Sequence, residues 1–448
     1  MKNDLTKGNV GVTLLVFAGP MILGNLLQQL YNIVDTWVVG KFVGADALAA
    51  VGAAYSLMTF LTSALIGLCM GNGALLSFYF GSRDEKKLRS CMLSSFVLIG
   101  MISLGICFGV LLLQEPILRL LQIPAELLEM MKQYTSIVFL GILFVFLYNF
   151  FAFVLRAVGN SFIPLVFLGI ASLCNVVLDL FFVPVLGLGL KGAAWATVAA
   201  QALSGIGLAV YTWVKEPRFR FSYKEFIGGE KPVKEIVRFS LITSAQQSVM
   251  NFGILMVQGL VNSFGTVVMA AFAAAVKIDT FAYMPAQEFG NAFSIFVSQN
   301  YGAGEKNRLK KGIVGAFAIS AGFCLVVSLL VCGMAKELML IFVKPEETEI
   351  LKTGMEYLRI EGAFYIGIGI LFLMYGYFRG INRPGISLLL TTISLGTRVV
   401  LAYTLAAIPK IGVQGIWFSI PVGWALADIT GMLLTGRKAT DIGSRTFS

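Results

Sequence analysis

Histidine is missing from all 448 residues. Its absence removes the commonest protein metal ligand and the usual near-neutral proton carrier, so any proton chemistry falls to carboxylates. Charge is scarce too: Asp, Glu, Lys and Arg make up 13% of the chain, against about 25% in an ordinary soluble domain. The six cysteines, Cys69, Cys91, Cys107, Cys174, Cys324 and Cys332, lie in or beside apolar stretches without CxxC or metal-ligand spacing. They read as small packing residues, not as a disulfide framework or a zinc site. Enzyme signatures are lacking as well, with no HExxH, no nucleophile elbow and no phosphate-cradling glycine loop. An enzyme is not expected, no cofactor is implied, and energy for any transport would have to come from an ion gradient.

What is present is apolar length. Hydrophobic residues make up 57% of the chain, and residues 92–113, 133–155, 157–178, 192–214 and 239–276 contain no charge. A run of about twenty such residues spans a bilayer core. The pattern predicts an all-α integral membrane protein with twelve spans at 12–39, 47–79, 92–113, 132–155, 161–184, 191–214, 236–262, 267–298, 312–334, 355–378, 384–408 and 413–436. Spans 2 and 8 are long enough to tilt or protrude. No cleavable signal peptide is expected, because the polar start, Met1 to Gly8, runs straight into the first span. The net charge of +10 follows loop parity. With the N-terminus inside, 23 Lys and Arg fall in inside segments and nine in outside segments, which places both termini in the cytoplasm. The basic excess is topological, and no nucleic-acid partner is expected.

The polar stretch 215–235 divides the chain into an N-lobe, 1–214, and a C-lobe, 236–448, and the two repeat one another. FGSRDEKKL (80–88) parallels YGAGEKNRL (301–309), and LRAVGN (155–160) parallels FRGINR (378–383). NVVLDL (175–180) parallels RVVLAY (398–403), GLKG (189–192) parallels GVQG (412–415), and LAAVGAAYSLMTF (48–60) parallels MAAFAAAVKIDTF (269–281). Six spans per half is an even number, so both halves enter from one side: a parallel repeat about an axis along the membrane normal. Transporters built this way place the substrate path between the halves.

Ionisable residues inside spans are costly and mark function by default. Asp35 (span 1), Asp179 (span 5) and Thr197 (span 6) fall at one depth in the outer leaflet at about 1.5 Å per residue, with Asn175 one turn from Asp179 on the same face. Two carboxylates, an amide and a hydroxyl suit a hard cation such as Na⁺. Equally, a poorly hydrated carboxylate pair can carry a proton. A structural hydrogen-bonded pair would look the same from sequence; the ion-coupling reading is preferred. Span 1 also carries a polar stripe (Asn25, Gln28 or Gln29, Asn32), answered on span 7 by Ser244, Gln247 and Asn251. Such stripes either glue helices together or line a wet cavity, the second being preferred; Lys277 is placed with that cavity. Pro20 frees a backbone carbonyl in span 1 and permits a hinge or a static kink. In the second half Asn175 maps to Arg398 and Asp179 to Ala402, so if one half couples an ion it is the first. Asp279, Glu288 and Asp428 have no assigned role.

The stretch FAGPMILGNLLQQLYNIVDTWVVGKFVGADALAAVG (17–52), with the FGSRDEKKL and YGAGEKNRL loops and the NVVLD element, resembles the MATE (multidrug and toxic compound extrusion) family over essentially the whole chain. The resemblance implies two six-helix lobes around a central cleft and ion-coupled export by alternating access. It implies an N-lobe cation site of the DinF type at Asp35, Asn175, Asp179 and Thr197, with Tyr134 as a neighbour and Pro20 as the bending proline. The NorM type adds acids in spans 7 and 10, where this chain reads TSAQQSV (243–249) and has no acid within 363–378. The expected function is therefore an antiporter that exports amphipathic, often cationic drugs or toxic metabolites in exchange for H⁺ or Na⁺. The expected setting is a prokaryotic plasma membrane, with the lipid bilayer as partner and a monomer as the functional unit. A lipid-linked precursor flippase, which should show more cleft basic residues than Lys277 and Arg398, and a passive channel are the alternatives.

Overall fold

The computed structural model describes residues 4–120, 125–219 and 232–438. Most of the 215–235 linker lies outside them. Among the described residues the chain is helical, with no strand. The first half holds α1 (Val10–Phe42), α2 (Ala45–Gly81), α3 (Glu85–Leu112), the short α4 (Gln114–Leu120), α5 (Ala125–Leu140), α6 (Ile142–Ala157), α7 (Phe162–Leu180) and α8 (Gly189–Lys215). The second holds α9 (Val233–Asn262), α10 (Thr266–Gly302), α11 (Lys306–Gly333), the short α12 (Ala335–Met339), α13 (Thr348–Gly362), α14 (Tyr365–Gly380), α15 (Pro384–Ala406) and α16 (Val413–Lys438). The chain divides into two compact units, Met1–Ser244 with Ser298–Glu305, and Ala245–Val297 with Lys306–Ser448.

Among the described residues ten helical stretches are long and apolar enough to cross a membrane, and α13 and α14, bent by 52° to one another, pass the same test only as a pair. The sequence predicts twelve. The difference is α9: its 30 residues are long enough, but Ser240, Thr243, Ser244, Gln246, Gln247, Ser248 and Asn251 dilute its apolar character. The two long spans are as expected, since α2 and α10 each run 37 residues, about 55 Å at 1.5 Å per residue. Large apolar side chains point outward, among them Phe108, Leu173, Val314, Leu329 and Val400. Polar side chains such as Asn72, Ser95, Thr135 and Gln246 are buried. That inversion is what a lipid solvent selects.

The repeat is written into the backbone. Left-handed residues, where glycine is favoured, recur at matching places: Gly44 with Gly265, Arg83 with Gly304, Gly159 with Asn382, and Gly189 with Gly412. The repeated loop motifs therefore encode a turn. In 80–88 Arg83 takes φ 57° and Asp84 caps α3, its Oδ1 accepting from the Lys87 amide at 3.0 Å; such a cap satisfies one orphan amide. Gly81 and Gly302, equivalents in the repeat, pack reciprocally. A methyl on Gly81 would strike the Gln299 backbone, and one on Gly302 the Phe78 carbonyl. Phe78 and Gln299 are themselves repeat equivalents, so the ends of α2 and α10 cross on a local two-fold.

Within the first unit α1 packs on α7, α7 on α8, and α6 on both α2 and α8. Its core is aromatic, with Phe96 edge-on to Phe150 at 5.3 Å and Phe139, Phe150 and Phe153 buried. A smaller group of Val38, Val39, Ala50, Met131, Val138 and Ala193 surrounds Tyr134 and walls off the polar residues described next.

Candidate cation site and second-unit polar groups

In the first unit, α7 carries Asn175 and Asp179 one turn apart, and both are buried, with 1% and 0% exposure. Beyond Leu180 the helix widens into a π turn over Phe181–Val185, which contains Pro184; such turns concentrate at functional sites. Asp35 reaches the same place from α1. Its carboxyl meets that of Asp179 at hydrogen-bonding reach, a pairing that needs a shared proton or a cation between the oxygens. Tyr134 on α5 is buried and within electrostatic reach of both acids. Thr197 is half-buried on α8, which packs against α7 and α1.

The site is polar beyond what the protein itself satisfies. Asp35 Oδ1, both Asp179 oxygens, and both polar atoms of the Asn175 amide are buried with no hydrogen-bond partner. Buried polar atoms left without partners cost about 1–3 kcal/mol each, so this cluster calls for a guest that supplies positive charge. The donor set of carboxylates, an amide oxygen and hydroxyls fits a hard cation or a proton. Among the described residues no three His, Cys, Asp or Glu side chains gather to hold a metal.

The structure thus brings together Asp35, Asn175, Asp179 and Tyr134, with Thr197 on an adjoining helix. Tyr31 belongs there too, and Gln201 lies on the same helix as Thr197. Tyr31 lies one turn before Asp35 on α1, within its electrostatic reach. Gln201 lies one turn after Thr197, and its Oε1 is buried without a partner, its side chain packed against Gly141 at the break between α5 and α6. The four-residue helical step could have found both. Pro20 sits inside α1, and Gly24, one turn on, packs against Leu165 and Leu168 of α7.

The proposed cavity residues fall in both units. Asn25, Gln28 and Asn32 lie on α1 in the first unit, where the Asn32 amide donates to Gln29 Oε1 at 3.4 Å. In the second unit Gln247 lines a small cavity with Gln246, Gln287, Asn291, Phe372 and Arg379. The Asn251 amide donates to the Gln247 carbonyl at 3.2 Å. Lys277 is exposed, its ammonium 5.8 Å from the Phe342 ring centre. Glu288 accepts from the Asn291 amide at 3.3 Å. The buried Arg379 donates to Ser294 Oγ at 3.0 Å and to Asn291 Oδ1 at 3.1 Å. Asp279 and Asp428 are buried, and Asp279 is joined by Glu361, a residue the sequence reading did not single out.

The family model MatE matches residues 20–181 and 240–404. The chain is 30% identical to the probable multidrug resistance protein YpnP of Bacillus subtilis over 96% of each chain. It is 26% identical to that organism's probable multidrug resistance protein YoeA, covering 94% of this chain and 92% of the other. A solved outward-facing multidrug resistance MATE family transporter of the MOP superfamily superposes with a TM-score of 0.92 at 23% identity, over 98% of both chains.

Proposed function

Because the chain belongs to the MatE family of multi-pass membrane transporters, we propose that it is a secondary antiporter, exporting amphipathic, often cationic compounds in exchange for H⁺ or Na⁺. Relatives named for multidrug resistance support the substrate class. The Asp35–Asp179 pair, buried with Asn175 on unsatisfied polar atoms, carries the coupling part of the reading. Asp35 and Asp179 hold the ion, Asn175 and Thr197 complete its oxygen shell, and Tyr134 donates to whichever carboxylate is ionised. Those residues match the DinF-type pattern, and we place the chain on that branch.

Export proceeds by alternating access of an N-lobe (1–214) and a C-lobe (236–448). The cycle follows from charge. With the ion absent, two adjacent buried carboxylates repel and α1 is pushed from α7; with the ion present they close. Pro20, which cannot donate to the Val16 carbonyl four residues earlier, lets α1 bend between these states. The protein works as a monomer in the plasma membrane with both termini cytoplasmic, as the Lys and Arg distribution supports.

The test is ethidium efflux from energised everted vesicles with wild type and the Asp35→Asn, Asp179→Asn double variant at equal membrane abundance. Wild type is expected to expel the dye and the double variant to lose coupled efflux. Undiminished coupled efflux by the double variant would refute the reading.

A further inference from the structure

The segment ahead of α1 is folded onto the bundle. The first residues of most domains are poorly ordered unless something ties them down. Here the tie is Leu5, the one apolar side chain between Lys2 and Asn9, which is fully buried at 0% exposure. Its amide donates to Gln299 Oε1 at 3.2 Å, and its carbonyl accepts from the Asn300 side-chain amide at 3.2 Å. Gln299 in turn donates from Nε2 to the Ala157 carbonyl, at the end of α6, at 2.7 Å. The Gln299 backbone lies against Gly81 at the tip of α2. Both Gln299 and Asn300 are fully buried. One glutamine thus joins the leading segment and the end of α6 to the tip of α10, out of reach of water.

The segment keeps its own shape and does not depend on α1. Asp4 makes a compact turn, its Oδ1 accepting from the Thr6 amide at 3.0 Å and from the Thr6 hydroxyl, a local arrangement that short acidic side chains favour. Gly8 takes φ 77°, a left-handed corner that glycine occupies without strain. Asn9 then caps α1, its side chain accepting from the Val12 amide at 3.3 Å, so the helix has its own start whether or not Leu5 is seated. The Asp4 and Lys7 side chains reach water, at 34% and 73% exposure, while the bonds of the seat come from amides and main chain. The repeat does not duplicate this seat. Gln299 and Asn300 correspond to Phe78 and Tyr79, which have no side-chain amide to give.

The helix that Leu5 grips is the one that passes from one compact unit to the other. The body of α10, up to Val297, belongs to the second unit, and Ser298–Glu305 belong to the first. The leading segment holds the part lodged in the first unit. By loop parity the chain around 80–89, 156–160 and 306–311 is cytoplasmic, and alternating access requires helix ends on that side to part. We propose that Asp4–Gly8 is a latch. With Leu5 seated, the tip of α10 stays bound to the end of α6 and the cytoplasmic side is shut; the segment has to leave before that side opens. Leaving strips the Leu5 main chain and two buried amides of their partners, so water enters the seat in the same step. The latch rests on the transport reading above and adds to it a moving part that binds no ion.

Two measurements on the full-length protein test the latch. In nanodiscs, amide hydrogen exchange over residues 298–305 is expected to run at least about tenfold faster in Leu5→Ala and in Gln299→Ala than in wild type, with residues 92–113 of α3 unchanged. An unchanged rate over 298–305, or one raised evenly along the chain, overturns the proposal. In proteoliposomes, the Leu5→Cys, Asn300→Cys protein is bridged with a short thiol cross-linker that reductant cleaves. Bridging is expected to cut efflux at least about tenfold, and reduction to restore it, because a tethered segment cannot leave. Wild type, whose six cysteines are buried or half-buried, and the two single variants should keep their efflux under the same treatment. Bridged protein that exports at the unbridged rate overturns the proposal. If wild type exports no compound, the transport reading fails, and the exchange rates over 298–305 alone decide the latch.

Discussion

Replacing the two first-unit acids singly should not give equal effects. Both Asp179 oxygens are buried without a protein partner, whereas only Oδ1 of Asp35 is. Asp179 is fully buried and Asp35 half-buried, so water competes with an ion for the Asp35 carboxylate more than for that of Asp179. A hydrogen bond or contact to a charged group is worth about 1.5–3 kcal/mol, and about 1.4 kcal/mol is a factor of ten in affinity. Asp179→Asn should therefore weaken the coupling ion about a hundredfold, and Asp35→Asn nearer tenfold. The assay is substrate efflux from proteoliposomes against Na⁺ concentration at fixed pH and against pH without Na⁺, scoring the half-saturating ion level for each variant. Whichever ion shows the graded shift is the coupled one. Shifts of equal size, or a larger one for Asp35→Asn, would mean that the unsatisfied oxygens do not measure the ion's contacts, and the reasoning fails.

At the α2–α10 crossing, Gly81→Ala and Gly302→Ala each force a methyl into backbone that cannot rotate away. Each should cost about 1–3 kcal/mol, seen as a lower midpoint in detergent thermal unfolding. Gly105→Ala and Gly109→Ala, which meet nothing within 4 Å, should hold or raise that midpoint. Arg83→Gly relieves a left-handed residue and should be neutral or stabilising by up to about 1 kcal/mol; a loss beyond that would point to a role for the side chain. Outside the membrane, Arg119 and then Lys132 hold the exposed Glu115 carboxyl below its usual range. Whatever that pairing adds is present above the ordinary carboxylate range and is lost as pH falls through the depressed value. Glu115→Gln should leave neutral-pH stability nearly unchanged, and a large drop in the thermal midpoint would contradict this.

Much of this was legible because membrane helices obey two simple rules. Apolar length gives the spans, and a fixed rise per residue lets depth be counted from a helix end, which is how Asp35, Asn175 and Asp179 can be brought together from sequence. The helix α9 was readable from its freedom from charge, although its polar stripe keeps it below the apolar length of a span. Glu361 was missed for a physical reason. It follows Arg359 in the polar run EYLRIEG (356–362), which looks like a loop margin, and only the bend after Gly362 shows that the helix carries its acid inward before turning. Reading no acid in 363–378 was correct, yet it stopped two residues short of the carboxylate. Nor could the scattered glycines be ranked from sequence, since Gly81 and Gly105 differ only in what approaches them.

The paired left-handed turns bear on how such a chain can change over generations. When a duplicated half diverges, side chains can migrate: an acid leaves one helix and reappears on another, an amide becomes a guanidinium. The corners cannot migrate with them, because each corner aims the next helix and every later residue inherits the error. Arg83 opposite Gly304 and Asn382 opposite Gly159 show the compromise, a fixed backbone angle tolerated by whichever residue drift left there. Ancestry is therefore best sought at the corners, and new chemistry on the straight runs between them.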